Sequence, residues 1–445
     1  MNRKKGISLK EILKIWWPLA ASWLLMSFEG PLISAVMARL QFPEISLASY
    51  GGVVFPLALI IEAPIIMLLP ATTALCKDYR SYKKIRKFMM LLSAALTLLH
   101  ILIAFTPVYY WVVEGLLGAP QEIVEPSRIG LMLMLPWTWA IAYRRFNQGV
   151  MIRYGHSNVV METTISRLIT LVLILAAGFL ISGFSGIVVG TLAQAVAVTV
   201  EGIYSGIRVR TMVQNEVKTA PEAEELTWRH FFDFYIPLVL TSLLNFLGQP
   251  IGSAAISRMP NPVESLAVWS VLSSFLFLLR SVGIAYNEVV VAQLDEKWSS
   301  YNLRKFTVLL VSTLSIIAFV SAATPLSLVW FKNVTALSID LARMARQALW
   351  LAIPLPAMSV LQSWFQGALL YGRKTRGVSE SVVIFLATFV LVMFMGVAVG
   401  TIKGVYVSAA AYTIATLIQN GWMWYRSRPI MQSIKRRDEI PSAGI

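Results

Sequence analysis

The sequence predicts an all-α integral membrane protein of twelve transmembrane helices, arranged as two parallel six-helix lobes. Three observations predict it: scarce charge, a one-sided distribution of that charge, and an internal repeat. Of 445 residues, 57% are hydrophobic and 14% are charged, against roughly 25% charged in ordinary soluble domains. That is too little charge to coat soluble domains of this total size, which excludes a soluble enzyme. Gly 26 and Pro 20 are ordinary, and Cys76 is the single cysteine, so collagen-like and disulfide-scaffold chains are excluded too. With three histidines, His100, His156 and His230, the chain has no zinc-type cluster. No metal and no cofactor is expected.

A membrane-crossing helix needs about 20 mainly apolar residues. Such runs fall at 11–38, 46–76, 88–112, 128–152, 157–182, 186–208, 230–258, 264–294, 305–330, 341–370, 377–399 and 402–426. The first follows a basic start (Arg3, Lys4, Lys5), but it contains Pro18 and Glu29-Gly30-Pro31 and lacks a small-residue cleavage site. It is expected to be a retained span and not a leader. Between the second and third spans stand Lys77, Arg80, Lys83, Lys84, Arg86 and Lys87.

With both termini on the cytoplasmic side, the alternating loops place 27 Lys and Arg inside, among them Lys297, and 7 outside. Four more, Arg144, Arg145, Arg167 and Arg280, lie within spans. That asymmetry obeys the positive-inside rule, and it accounts for the net charge of +15 without a nucleic-acid partner. Aromatic clusters such as Tyr109-Tyr110-Trp111 and Trp424-Tyr425 suit interfacial belts.

The repeat appears when the first half is displaced by 219 residues: Pro18 falls on Pro237, Pro31 on Pro250, Arg39 on Arg258 and Pro43 on Pro262. Further along, at 218, Pro136 meets Pro354, Gln148-Gly149 meets Gln366-Gly367, Glu162 meets Glu380 and Arg208 meets Arg426. Each half holds six spans, an even number, so the halves run in the same sense about an axis along the membrane normal. The expected division is a lobe over 1–212, a polar linker over 213–229, a second lobe over 230–428 and a basic cytoplasmic tail over 429–445. Duplicated lobes suit alternating access to a midplane site better than a static pore or a membrane-embedded transferase. The transferase would need paired aspartates or a buried histidine, and Asp78, Asp233, Asp295, Asp340 and Asp438 all fall near span ends or in loops.

Ionisable side chains are costly in hydrocarbon and mark candidate sites. Glu29, in the first span, and Glu62, in the second, are such candidates. Arg280, with Ser273 and Asn287 seven residues to either side, forms a candidate substrate-binding stripe. Displaced by 219, Glu62 falls on Ser281, beside Arg280. Arg144, Arg145 and Gln148 form a second candidate substrate group, for which an internal ion-pair network of Arg144, Arg145 and Arg167 with Glu162 and Glu201 is the structural alternative. Glu162 and its repeat mate Glu380 also stand near helix N-termini, where the dipole favours an acid. Gly30-Pro31 and Gln249-Pro250 are candidate hinges, because proline removes a backbone donor and glycine loosens the turn.

The parallel duplication, the proline-kinked first span and the signatures Phe146-Asn147-Gln148-Gly149 and Trp364-Phe365-Gln366-Gly367 resemble the multidrug and toxin extrusion (MATE) fold. Its superfamily includes lipid-linked oligosaccharide flippases and the progressive ankylosis proteins. Leu47-Ala48-Ser49-Tyr50-Gly51, Pro250-Ile251 and Ser257-Arg258 are similar to the last group. The resemblance implies a secondary transporter driven by H+ or Na+, with Glu29 or Glu62 as the carboxylate that carries the coupling cation. The expected exported cargo is small organic solutes, anionic or amphipathic, and the expected setting is a monomer in a bacterial inner membrane. The anionic leaning rests on the arginines, whose guanidinium recognises carboxylate and phosphate bidentately. Flipping of polyprenyl-linked glycans and cationic multidrug antiport remain alternatives. Span 1 has no interior aspartate where several drug exporters carry one.

Overall fold

The computed structural model describes residues 7–439 apart from 182, 295, 297 and 375. Arg3, Lys4, Lys5 and Lys297 of the basic inside set lie outside the described residues. The chain is an all-α membrane protein, and among the described residues ten helices are long and apolar enough to cross a membrane. The helical rods are α1 (Leu9–Met37), α2 (Pro43–Leu75), α3 (Tyr79–Phe105), α4 (Gln121–Leu133 and Leu135–Arg153), α5 (Ser157–Ile181) and α6 (Gly186–Val217). They continue with α7 (Trp228–Ile256), α8 (Pro262–Gln293), α9 (Ser299–Ala323), α10 (Ile339–Tyr371), α11 (Arg376–Val399) and α12 (Gly404–Glu439). The two rods outside the ten are α4 and α12. The first carries Arg128, Arg144, Arg145 and Arg153, and the second runs on into the basic stretch Arg426–Arg437.

Sequence and structure differ at two ends. Five basic residues expected in a loop, Arg80, Lys83, Lys84, Arg86 and Lys87, lie on the opening turns of α3. Asp78 starts that helix by accepting from the Ser81 backbone N–H at 2.8 Å, while Ser81 returns its hydroxyl, a reciprocal cap. At the other end, α12 continues helically to Glu439.

Two compact units divide the chain: Ile33–Ser270, and Met1–Leu32 with Val271–Ile445. The chain passes between them inside α1 and inside α8. In the second unit, Ile12, Trp16 and Ala20 of α1 pack with Tyr286, Val289, Phe306, Leu310 and Trp364. Trp16 meets Phe306 edge-on and donates its indole N–H to the Val282 carbonyl at 3.3 Å. In the first unit, α7 packs on α2, and Tyr235 donates to the Pro64 carbonyl at 2.6 Å. Because lipid is as apolar as leucine, such interfaces gain mainly by close packing and hydrogen bonds.

Backbone geometry repeats even where the residues differ. Left-handed residues occur at Phe42 and Asn261, at Gly118 and Ala336, and at Gly155 and Arg373, displaced by 219, 218 and 218. Arg128 holds the last carbonyls of α3 (Ala104, 3.1 Å; Phe105, 3.4 Å), and Arg346 does the same for α9 (Ala322 and Ala323, both 3.1 Å). A cation at a helix C-terminus satisfies orphan carbonyls and complements the dipole.

The change from 219 to 218 has a visible cause. Tyr50–Val54 of α2 is a π-helical turn, whereas α8 is α-helical from Pro262 to Ile284. A π turn accommodates one extra residue in a helix. Beyond it, α2 breaks at Met67 and α8 at Ala285, a displacement of 218. Measured from these breaks, the counterpart of Glu62 is Arg280 itself, not its neighbour Ser281.

Each unit also pins down a helix start with an aspartate. The second oxygen of Asp78 accepts from the backbone N–H of Ala223 in the linker at 3.1 Å. Trp298, ahead of α9, has no capping side chain of its own, and Asp438 of α12 supplies one, accepting from the Trp298 N–H at 3.1 Å and from the Ser300 hydroxyl. Arg437 beside it donates to the carbonyls of Leu294 and Glu296, both at 3.0 Å.

Candidate functional site

Within the Ile33–Ser270 unit, small residues bring α4 and α6 close enough to share charge. A Cβ on Gly202 would stand 3.2 Å from the Ala140 carbonyl oxygen, and one on Gly206 would stand 2.4 Å from the Tyr143 hydroxyl. The neighbouring Glu201, fully buried, therefore meets Arg144 at 2.6 Å. Arg167 of α5 lies 3.5 Å from the same oxygen. The other carboxylate oxygen accepts from Gln148 at 3.2 Å and from Thr164 at 3.4 Å. Next along α4, Asn147 donates to Ser205 at 3.3 Å. Gly149 lets α4 abut α2: a Cβ there would stand 2.6 Å from Thr72 Cβ and 2.8 Å from the Leu69 carbonyl. The Asn-Gln-Gly signature is thus a packing and hydrogen-bonding seam.

Glu62 on α2 is buried, and neither carboxylate oxygen has a hydrogen-bond partner among the described residues. The charges acting on it are those of Arg144 and Arg145. Arg145 is half-buried, with its Nε likewise unpartnered. Three arginines and two glutamates are gathered here, and Glu201 is saturated.

The second unit treats charge differently. Arg280, in the membrane-long helix α8, donates from Nη1 to the Tyr412 hydroxyl at 2.7 Å, with its guanidinium 5.0 Å from that ring's centroid. Its Nε is buried without a partner, and among the described residues Arg280 pairs with no carboxylate. At a displacement of 218, the positions of Arg144, Arg145, Arg167 and Glu201 are taken by Gln362, Ser363, Phe385 and Gln419. The cluster of the first unit therefore has no charged counterpart at those positions, and Arg280 stands apart from any such network.

The other predicted residues are placed as follows. Ser273 is half-buried on α8, but Asn287 lies beyond the break at Ala285, so the predicted stripe is not one continuous helical face. Asn287 donates to the Ser363 carbonyl at 3.2 Å. Glu29 is half-buried at the start of the second segment of α1. The break at Phe28 lies just ahead of Gly30-Pro31, where proline lacks the N–H for the Ser27 carbonyl and its ring crowds it. A Cβ on Gly30 would stand 2.8 Å from Ser274 Oγ, whereas Gly248 has nothing within 4 Å and α7 runs unbroken through Gln249 and Pro250. Glu162 pairs with Arg208 at 3.0 Å, and its repeat mate Glu380 with Arg426 at 3.2 Å, matching ion pairs that tie each fifth rod of a half to its sixth. Tyr412 carries no sequence signal; only the fold brings it to Arg280.

No protein-family model and no curated protein matches the chain. Solved structures do. An inward-facing multidrug-resistance MATE family transporter of the MOP superfamily superposes with a TM-score of 0.74 at 13% identity, over 95% of this chain and 98% of that one. The lipid II flippase MurJ, in an inward closed conformation, gives 0.69 at 14% identity over 94% and 90%. A MOP superfamily transporter from Pyrococcus furiosus, whose binding pocket is described as reversed in polarity, gives 0.59 at 16% identity over 97% and 100%. The chain therefore shares the fold of these MATE family transporters and of MurJ, as the repeat and the signatures led one to expect.

Proposed function

We propose that the protein is a secondary active transporter, not an enzyme, that exports small organic anions by cation-coupled alternating access. The observation that carries this reading is Arg280: a guanidinium in a membrane-long helix, held by a tyrosine, with no carboxylate paired to it among the described residues. An arginine in that setting is costly unless paired, and an anionic cargo would complete it. The fold supports transport, since MATE family structures of this kind include inward- and outward-facing conformations. The pocket of reversed polarity in the Pyrococcus furiosus relative supports a cargo unlike that of a cation exporter.

Within this reading Arg280, Ser273 and Asn287 bind substrate, with Arg144, Arg145 and Gln148 as a second group. Glu62 or Glu29 takes the coupling H+ or Na+. The division into 1–212, 213–229, 230–428 and 429–445, the hinges at Gly30-Pro31 and Gln249-Pro250, cytoplasmic termini, a monomeric state and a bacterial inner membrane belong to the same proposal. Glu201 in the first unit already occupies Arg144 and approaches Arg167, so of the two groups Arg280 is assigned the leading role.

A flippase reading is favoured by one observation, the fold shared with MurJ. A lipid phosphate would use the same guanidinium, so the test includes one. Purified protein in proteoliposomes, loaded with labelled citrate or pyrophosphate under an imposed pH or Na+ gradient, is expected to release the anion. Arg280→Ala should abolish the release. Transport of cationic dyes alone, indifferent to Arg280, overturns the anionic reading, and movement only of a polyprenyl phosphate between leaflets selects the flippase.

A further inference from the structure

An arginine can recognise an anion through any of its N–H groups, but two-oxygen recognition uses two parallel N–H bonds in the guanidinium plane. In Arg280 one end of the plane is already committed, with Nη1 donating to the Tyr412 hydroxyl at 2.7 Å. The face of the same tyrosine ring lies against the cation, 5.0 Å from centroid to guanidinium. The ring is fixed in turn by Phe385, edge-on at 5.3 Å and 76°, and by Phe389 at 6.3 Å and 80°. At the other end of the side chain, Ser359 donates to the Arg280 carbonyl at 3.2 Å. The guanidinium is thus held at its backbone, at its face and at Nη1. What remains is the Nε–Nη2 edge, whose Nε is buried and without a hydrogen-bond partner among the described residues.

We propose that Tyr412 is a positioning residue that presents the Nε–Nη2 edge of Arg280 to a two-oxygen anion, so that the seat selects carboxylates and phosphates over halides. The inference rests on the anion-transport reading and specifies its selectivity. Two parallel N–H groups match two oxygens of one carboxylate or phosphate, whereas a spherical halide offers no such pair of acceptors. A lysine has the charge without the fork. Without the tyrosine hydroxyl, the guanidinium can rotate and spread its donors, and the advantage of the two-oxygen anion falls.

The test measures thermal stabilisation of the purified full chain by citrate, pyrophosphate and chloride, in wild type, Tyr412→Phe, Arg280→Lys and Arg280→Ala. Wild type is expected to favour citrate or pyrophosphate over chloride. Tyr412→Phe keeps the ring and its packing, and its preference should shrink about tenfold, through weaker oxyanion binding at unchanged chloride response. Arg280→Lys should lose the preference while keeping a response to anions, and it provides the same reading if the tyrosine variant folds poorly. Arg280→Ala should lose the response altogether.

An oxyanion preference that vanishes in Arg280→Ala but is unchanged in Tyr412→Phe overturns the role of Tyr412 alone. So does a Tyr412→Phe variant in which oxyanion and chloride responses fall together, since that reports general loosening. A wild type indifferent to every anion overturns both this inference and the transport reading beneath it.

Discussion

The two compact units handle buried arginine in opposite ways. Around Glu201, two arginines, a glutamine and a threonine converge on one carboxylate. Arg280 meets one tyrosine and, among the described residues, pairs with no acid. The same repeat built both regions, and beyond the π turn Glu62 and Arg280 occupy matching positions with opposite charge. The contrast teaches that a charged residue inside a membrane helix does not identify its own role. A saturated ion pair is chiefly architecture, and a charge left incomplete is where a ligand has energy to gain.

Glu201→Gln sharpens the comparison most. Removing one partner of a buried pair leaves uncompensated charge and costs about 3–5 kcal/mol, so thermal unfolding should show a severe loss. Arg280→Ala removes one hydrogen bond and one cation–π contact, the latter worth roughly 0.5–2 kcal/mol, and should leave a folded protein that no longer responds to anions. Equal destabilisation by the two substitutions would erase the distinction.

Close packing supplies a smaller effect. Gly149→Ala, which drives a methyl toward the Leu69 carbonyl and Thr72, should cost about 1–3 kcal/mol through overpacking at the seam that carries Gln148. A neutral result in unfolding measurements would show that α2 and α4 yield there.

The smallest effects belong to the two aspartates that pin helix starts. Burial raises the carboxyl of Asp78, but hydrogen bonds from Ser81 and Ala223, with Arg80 nearby, outweigh it and hold the group below the usual carboxylate range. Burial likewise raises Asp438, and Ser300, Trp298 and Arg437 outweigh it. A depressed folded-state value means the stabilisation is present above the unfolded carboxylate range and is lost as pH falls through the folded value. Asp78→Asn or Asp438→Asn should therefore cost about 0.5–2 kcal/mol near neutrality and flatten the acid limb of the stability curve below about pH 4. An unchanged acid limb would show that neither cap is coupled to unfolding.

Much of the architecture was legible because it depends on composition and period. Low charge, apolar runs of bilayer length and the one-sided basic residues report on solvent, and solvent acts on every residue independently of its partners. The repeat was legible because proline, glycine and arginine recur at the places where the backbone turns or ends, as at Pro43 and Pro262. The candidate groups were legible as types: charged residues where charge is expensive.

Pairing was not legible. Helical spacing tells that Arg144 and Gln148 share a face, but not that Gly202 and Gly206 bring Glu201 against that face. No local pattern joins Arg280 to Tyr412, 132 residues further along the chain. The one-residue register change was hidden as well, since a π turn alters hydrogen bonding without a distinctive residue pattern. The sequence by itself therefore determined the solvent, the helical class and the duplication, all of which follow from local periodicity and residue chemistry. Only the tertiary structure decided which charges are answered and which are left incomplete, because that depends on distances between helices that the chain order does not encode.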